Sequence, residues 1–256
     1  MKLTTIVLFI CVQFARSLAH YTVALSIPHN SKVFTQGLEY HKGYLYESGG
    51  NYGRSSIQIL HPDSGETLKK RNIEKKYFAE GITIVGNKVY MLTWKEKVML
   101  VFDADTLELL STYHYQTHSG EGWGLTYDGH HLIASDGSDH LTFFEVPTGA
   151  TGTMLTKVRE VRVRDVALGH YIHHVNELEM VDGFIYANIW YVDALIIIDP
   201  STGHVVRKLD FRQLYPKMSR PRSADCFNGI AYNTTDGSLM VTGKWWPSLF
   251  RIELTK

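Results

Sequence analysis

A chain of 256 residues, 44% apolar and 20% charged, is long enough to bury a large core and too apolar to be disordered. Its 26 Lys and Arg balance its 26 Asp and Glu, and no basic run breaks that balance. A nucleic-acid partner is therefore not expected.

Residues 1–19 read as a secretory signal. Lys2 supplies a short positive region, Thr4 to Val12 an apolar one, and Ser17-Leu18-Ala19 the small residues of a cleavage site. The processed chain is expected to begin near His20, in the secretory pathway. The apolar segment is too short to span a bilayer and no later stretch approaches ~18 apolar residues, so no membrane partner is expected. Cys11 leaves with the signal. Cys226 then has no disulfide partner and is expected to be a buried thiol.

The strand TVALSI (22–27) comes next, followed by five related units. They begin at VFTQGLEYHKGYLYESGG (33–50), YFAEGITIVGNKVYMLTW (77–94), GEGWGLTYDGHHLIASDG (120–137), HVNELEMVDGFIYANIW (174–190) and CFNGIAYNTTDGSLMVTGKWW (226–246). Gly37, Gly81, Gly124, Leu178 and Gly229 mark the repeat at intervals of roughly 40–55 residues, the period of a β-propeller. Within each unit a short strand, a tight Gly, Asn or Asp turn and a second strand are followed by a third and fourth strand, as in VMLVFDADTLELLSTY. Residues 150–175 read as an insertion, and 211–223 as a connector with at most a short helical turn. The last unit runs out at LFRIEL (249–254), one strand short. The spare N-terminal strand is expected to complete it. The predicted fold is all-β: a five-bladed propeller, four antiparallel strands per blade, one domain over 20–256, monomeric, with its ring closed by the N-terminal strand.

A propeller points the equivalent residues of its inner strands at one centre. On the repeat alignment one slot holds Gln36, Glu80, Trp123, Glu177 and Asn228, and the ends of the second strands hold Glu47, Trp94, Asp136, Trp190 and Lys244. A carboxylate beside a buried Lys and amides suits a general base with an oxyanion partner, and Trp walls suit a small desolvated substrate. The slot oxygens also suit a central calcium. Glu121, Asp136 and Asp139 lie in Gly-rich turns and are expected to be turn formers. His170, His173 and His174 are expected in a loop rather than on a metal. Asn233, in an Asn-Thr-Thr sequon, is a glycosylation candidate. These residues alone leave three classes open: a propeller enzyme with a general base acting on a small substrate, a calcium-dependent lactonase or esterase, and a non-catalytic secreted binding propeller.

The stretches FTQGLEY, LYESGGNYGRSSI, FAEGIT, YMLTWKE, GEGWGLTYDG, NELE, IYANIW, FNGIAY and VTGKWWPSLFRIEL occur in order from residue 34 to 254. In them the chain resembles the plant- and bacterial-type glutaminyl-peptide cyclotransferases. The resemblance implies a five-bladed propeller and peptide or protein substrates with N-terminal glutamine, converted to pyroglutamate with release of ammonia. It implies a pocket of Phe34, Gln36, Phe78, Glu80, Trp94, Trp123, Asn176, Trp190 and Lys244. Within that set Glu80 suits a proton shuttle, and Lys244 with Asn176 suits stabilisation of the intermediate. No cofactor is required; a structural calcium at Glu177 and Asn228 is compatible. The His-rich run before Asn176 and the pair Trp245-Trp246 depart from the family pattern.

Overall fold

The computed structural model describes residues 21–255. The expected signal and cleavage point lie outside the described residues. Five four-stranded antiparallel sheets form the blades. Blade 1 comprises Thr35–His41, Tyr44–Gly49, Ser56–Leu60 and Thr67–Asn72. Blade 2 comprises Ala79–Val85, Lys88–Thr93, Val98–Asp103 and Leu109–His114. Blade 3 comprises Leu125–Tyr127, His131–Ser135, His140–Glu145 and Lys157–Arg162. Blade 4 comprises Val175–Val181, Phe184–Ile189, Ala194–Ile198 and Val205–Asp210. Blade 5 takes Phe227–Tyr232, Leu239–Gly243 and Ser248–Leu254 from the end of the chain and Tyr21–Pro28 from its start, paired from Tyr21 opposite Leu254 to Pro28 opposite Ser248. The first strands of successive blades touch in circular order, and that of blade 5 returns to blade 1.

Local chemistry explains the blades. At the first hairpin of blades 1 and 4, Lys42-Gly43 and Asp182-Gly183 have positive φ at both central residues, the conformation that matches strand twist in a two-residue loop. Middle strands such as Ser56–Leu60 are buried along their whole length because a neighbouring blade covers each face, whereas the outer strand Thr67–Asn72 is exposed throughout. The core is correspondingly divided. Each of five apolar clusters fills one seam between adjacent blades. The smallest, around Ile27, Leu38, Leu45, Met240 and Leu249, lies between blades 5 and 1.

A polar latch reinforces that seam. His29, just past the closing strand, presents Nδ1 to the Trp246 carbonyl at 2.7 Å and Nε2 to Glu47 Oε1 at 2.9 Å. Both ring nitrogens face acceptors, the arrangement of an imidazolium. Glu47 also accepts from Thr35 Oγ1 and Gln58 Nε2, both at 2.6 Å. Burial opposes both charges, but the partners prevail: His29 is held above its ordinary value and Glu47 below its own.

Three expectations change. Residues 150–175 are not all insertion, since Lys157–Arg162 is the outer strand of blade 3. The His-rich run is not simply a loop: Arg164–Asp165 pairs with His170–Tyr171 in a small hairpin. Asp139 is an ion-pair partner rather than a turn former, receiving Arg162 Nε and Nη2 at 2.9 and 2.6 Å. Asp136 does cap its turn, accepting the N–H groups of Ser119 and Ser138. The 211–223 connector holds one 3₁₀ turn, Lys217–Ser219, and Cys226 is a buried free thiol.

Candidate active site

The slot residues owe their direction to a repeated irregularity. In blades 1, 2, 4 and 5 the register between the first two strands shifts just after Thr35, Ala79, Val175 and Phe227. Such a bulge frees the next residue from the ladder and re-aims its side chain. Those next residues are Gln36, Glu80, Asn176 and Asn228. In blade 4 the slot is therefore Asn176, not Glu177. Glu177 takes the position that is Gly37, Gly81 and Gly229 elsewhere. Its carboxyl reaches across the axis to the N–H groups of Leu38 at 3.3 Å and Ile230 at 2.9 Å.

The second-strand ends need the same correction. Trp94, Trp190 and Lys244 follow directly on Thr93, Ile189 and Gly243, which pair with Ala79, Val175 and Phe227. In blade 1 that position is Gly50, not Glu47, which is consumed by the latch. In blade 3 it is Gly137, not Asp136. Both glycines make room for the wall: a Cβ at Gly50 would fall 2.2 Å from the Phe78 ring, and one at Gly137 2.6 Å from the Trp123 ring.

What results is a pocket of about 320 Å³ lined by all nine residues named from the sequence, with Asn51 added. Its walls are aromatic. Phe34 meets Phe78 edge-on at 6.3 Å, Phe78 meets Trp94 at 5.4 Å, and Trp123 meets Trp190 at 5.7 Å. Its polar groups are few and concentrated. Glu80 lies at the base, 4% exposed, accepting from Gln36 Nε2 at 3.0 Å. Burial drives its carboxyl well above the ordinary carboxylate range; Lys244 works against that rise, while Glu121 and Glu96 add to it. Lys244 Nζ lies 4.6 Å from the centre of the Phe34 ring. Gln36 Oε1 and Asn176 Nδ2, an acceptor and a donor on the wall, have no hydrogen-bond partner. Unpaired buried polar atoms are uncommon, and at a pocket they mark positions where a ligand can complete the bonding.

Over residues 7–254 the sequence matches the profile of the family described as glutamine cyclotransferase. The chain belongs to the glutamine cyclotransferase family. It is 31% identical over 239 residues to the glutaminyl-peptide cyclotransferase of Arabidopsis thaliana, spanning 91% of this chain and 70% of the plant protein. The crystal structure of Myxococcus xanthus glutaminyl cyclase superposes with a TM-score of 0.80 at 33% identity, covering 91% of this chain and 96% of that one. The WD40 propeller domain of Doa1 superposes at 0.50 with 12% identity, over 86% of this chain and 63% of that one, a likeness of fold alone.

In this glutamine cyclotransferase one residue with the sequence surroundings of a turn belongs to the site. Glu121 is not a turn former. Its Oε2 accepts the indole N–H of Trp94 at 2.7 Å and of Trp123 at 3.0 Å, pinning two walls to one oxygen. The available signal was its position two residues before a slot Trp. Glu121→Ala is expected to raise KM and lower kcat/KM by about ten- to a hundredfold without shifting the melting temperature, because loosened walls misplace the substrate. Glu121→Gln should recover most of the loss, since an amide oxygen still accepts both bonds. Steady-state kinetics with melting curves decides it; equal kcat/KM in Glu121→Ala and wild type would remove the positioning role.

The two calcium candidates differ in what their oxygens do. Glu177 accepts its two backbone bonds, and burial raises its carboxyl well above the usual range. Asn228 donates to the Thr35 carbonyl at 3.0 Å, leaving its Oδ1 unpaired. Among the described residues no group of three or more His, Cys, Asp or Glu is placed to hold a metal. The glycosylation candidate Asn233 is 5% exposed, and its Oδ1 accepts the Thr235 N–H.

Proposed function

We propose that this pocket converts the N-terminal glutamine of peptides and proteins to pyroglutamate, with Glu80 carrying the proton. The neutral α-amine attacks the side-chain carboxamide carbon; a C–N bond forms, the amine loses a proton, and the carboxamide nitrogen gains one and leaves as ammonia. No net proton is consumed, so the catalyst needs a group that takes one and gives one. A neutral carboxyl does both. Gln36 Nε2 already donates to Glu80 Oε1, which leaves Oε2 to carry the hydroxyl proton. Oε2 then delivers its proton to the departing nitrogen while Oε1 receives the amine proton, and the carboxyl returns to its starting charge. The observation that carries this reading is a buried carboxyl, its proton held more tightly because of burial, among the aromatic walls of a pocket of about 320 Å³.

Lys244 and Asn176 are assigned to the negative charge that gathers on the former amide oxygen. They are fixed in place before the charge develops, which is what makes such donors effective. Phe34, Phe78, Trp94, Trp123 and Trp190 hold the glutamine folded for attack. No step calls for a metal, and of the oxygens that a calcium-dependent lactonase or esterase would use, both of Glu177 are bonded to backbone N–H groups. The expected result is that a short Gln-initiated peptide loses one ammonia, read by mass spectrometry, equally with and without EDTA. An unchanged peptide sinks the assignment, and activity lost to EDTA sinks the metal-free scheme. Export is proposed on the Lys2 to Ala19 pattern alone, and a monomeric state on the closed ring.

A further inference from the structure

Beside the pocket, along the seam between blades 5 and 1, runs an open groove of about 740 Å³. Lys32, Arg54, Lys70 and Arg222 line it, and no carboxylate is among its lining residues. None of the four takes part in an ion pair among the described residues. In a chain of zero formal net charge this concentration of unopposed cations is local, not a reflection of composition.

The groove continues the pocket. Three chain segments each give one residue to the pocket and a near neighbour to the groove: Phe34 and Lys32, Asn51 and Arg54, Lys244 and Trp245. The Asn51 to Arg54 turn is closed by the Arg54 N–H on the Asn51 carbonyl at 2.9 Å. Trp245 adopts φ 58, uncommon for a residue with a side chain, and its N–H bonds the Val33 carbonyl. Its ring packs 4.7 Å from that of Phe34, so a single aromatic contact separates pocket from groove. On the blade 2 side the carboxylates of Glu96 and Glu121 are close enough to raise Glu80. Lys95 Nζ lies 3.8 Å from Glu121 there, so that side carries both signs, whereas the groove side carries cations alone.

A substrate whose glutamine fills the pocket must send its next residues out through that mouth. At ~3.3 Å per residue, three residues reach about 10 Å, enough to pass the Phe34 and Trp245 rings. We propose that the groove receives residues 2 to 4 of the substrate peptide and favours acidic side chains there. This deepens the activity proposed above and rests on it.

The test compares three peptides in which N-terminal Gln is followed by three Glu, three Ala or three Lys. At low ionic strength kcat/KM should fall in that order, with about tenfold between the Glu and Lys peptides. The spread should shrink toward equality at ~1 M salt, where charges are screened over ~3 Å. The double charge reversal Arg54→Glu, Arg222→Glu sets two Glu against Lys32 and Lys70, and should therefore collapse the order while leaving the Ala peptide unchanged, which also reports an intact fold. Equal turnover of all three peptides by the wild type overturns the groove assignment while leaving the activity standing, as does an order that survives the reversal. Failure to cyclise any of them sinks the activity and the groove together. Short DNA that inhibits all three equally, with no order among the peptides, would give the groove to a nucleic acid instead.

Discussion

Glu80→Gln is expected to lower kcat by about 10²- to 10⁴-fold with the fold intact, the range over which a positioned proton-transfer group acts. The replacement keeps the shape and the acceptor for Gln36 but cannot shuttle a proton between two oxygens. Single-turnover cyclisation of a Gln-initiated peptide reads the chemical step directly. Near-normal turnover would end the assignment. The pH profile adds a second, independent readout. Activity should rise as the substrate amine loses its proton, near an α-amino value of about 7.7–8.0, and fall once Glu80 ionises. Lys244 opposes the rise in Glu80. Lys244→Met should therefore move the alkaline limb to higher pH as well as slow the reaction, whereas a Lys that only shaped the pocket would leave the limb in place.

The second large effect is on stability. His29→Ala removes one partner of a buried pair and leaves Glu47 with an uncompensated charge, a change that costs about 3–5 kcal/mol. At ~2–4 °C per kcal/mol for a domain of this size, the melting temperature should drop by about 10 °C. Its pH dependence has a definite sign. His29 is held above 6.5 in the folded state, so its contribution is complete below about 6.5 and is lost as pH rises through the folded value. Glu47 is held below 4.5, so its contribution is complete above about 4.5 and is lost as pH falls through the folded value. Burial lifts Glu39 to about 8 and Glu177 and Glu179 well above 4.5; each of these also favours the folded state at low pH and ceases to as pH rises through its folded value. The wild type should be most stable near pH 4.5 and weaken steadily toward pH 8. Denaturation of wild type and His29→Ala across that range checks this; a gap that widened from pH 6 to 9 would refute the latch.

The propeller was legible in the sequence because three independent signals coincide in every unit: a glycine or its substitute, a turn dipeptide and paired strands of fixed spacing. The incomplete last unit and the spare first strand even announced the closure. What pattern could not supply was register. Asn176 and Glu177 are both polar, and only the bulge decides which of them leaves the ladder. Glu47 and Asp136 occupy the right region of their strands, but the ring of residues at the strand ends includes Gly50 and Gly137, whose contribution is the space they leave. A residue that acts by having no side chain gives no chemical signature in a single sequence. Glu121 escaped for a different reason. Its neighbours are those of a turn, and its function depends on two indoles, one of them 27 positions away along the chain.

The closure of blade 5 by Tyr21–Pro28 has a kinetic meaning. Residue 21 cannot find residue 254 until almost all of the chain between them has been ordered, so the final pairing spans nearly the whole described length. Pairing at such separation is slow, because the entropy of closing the loop is spent before the contact rewards it. Lys244 sits on this last blade and Phe34 on the first, facing each other across the seam with the smallest apolar cluster. The lysine and the ring beneath it therefore come together only when the circle shuts. Glu80, two blades' width from any chain end, waits in a finished half of the site for its cation to arrive, so competence for chemistry is among the last properties the folding chain acquires.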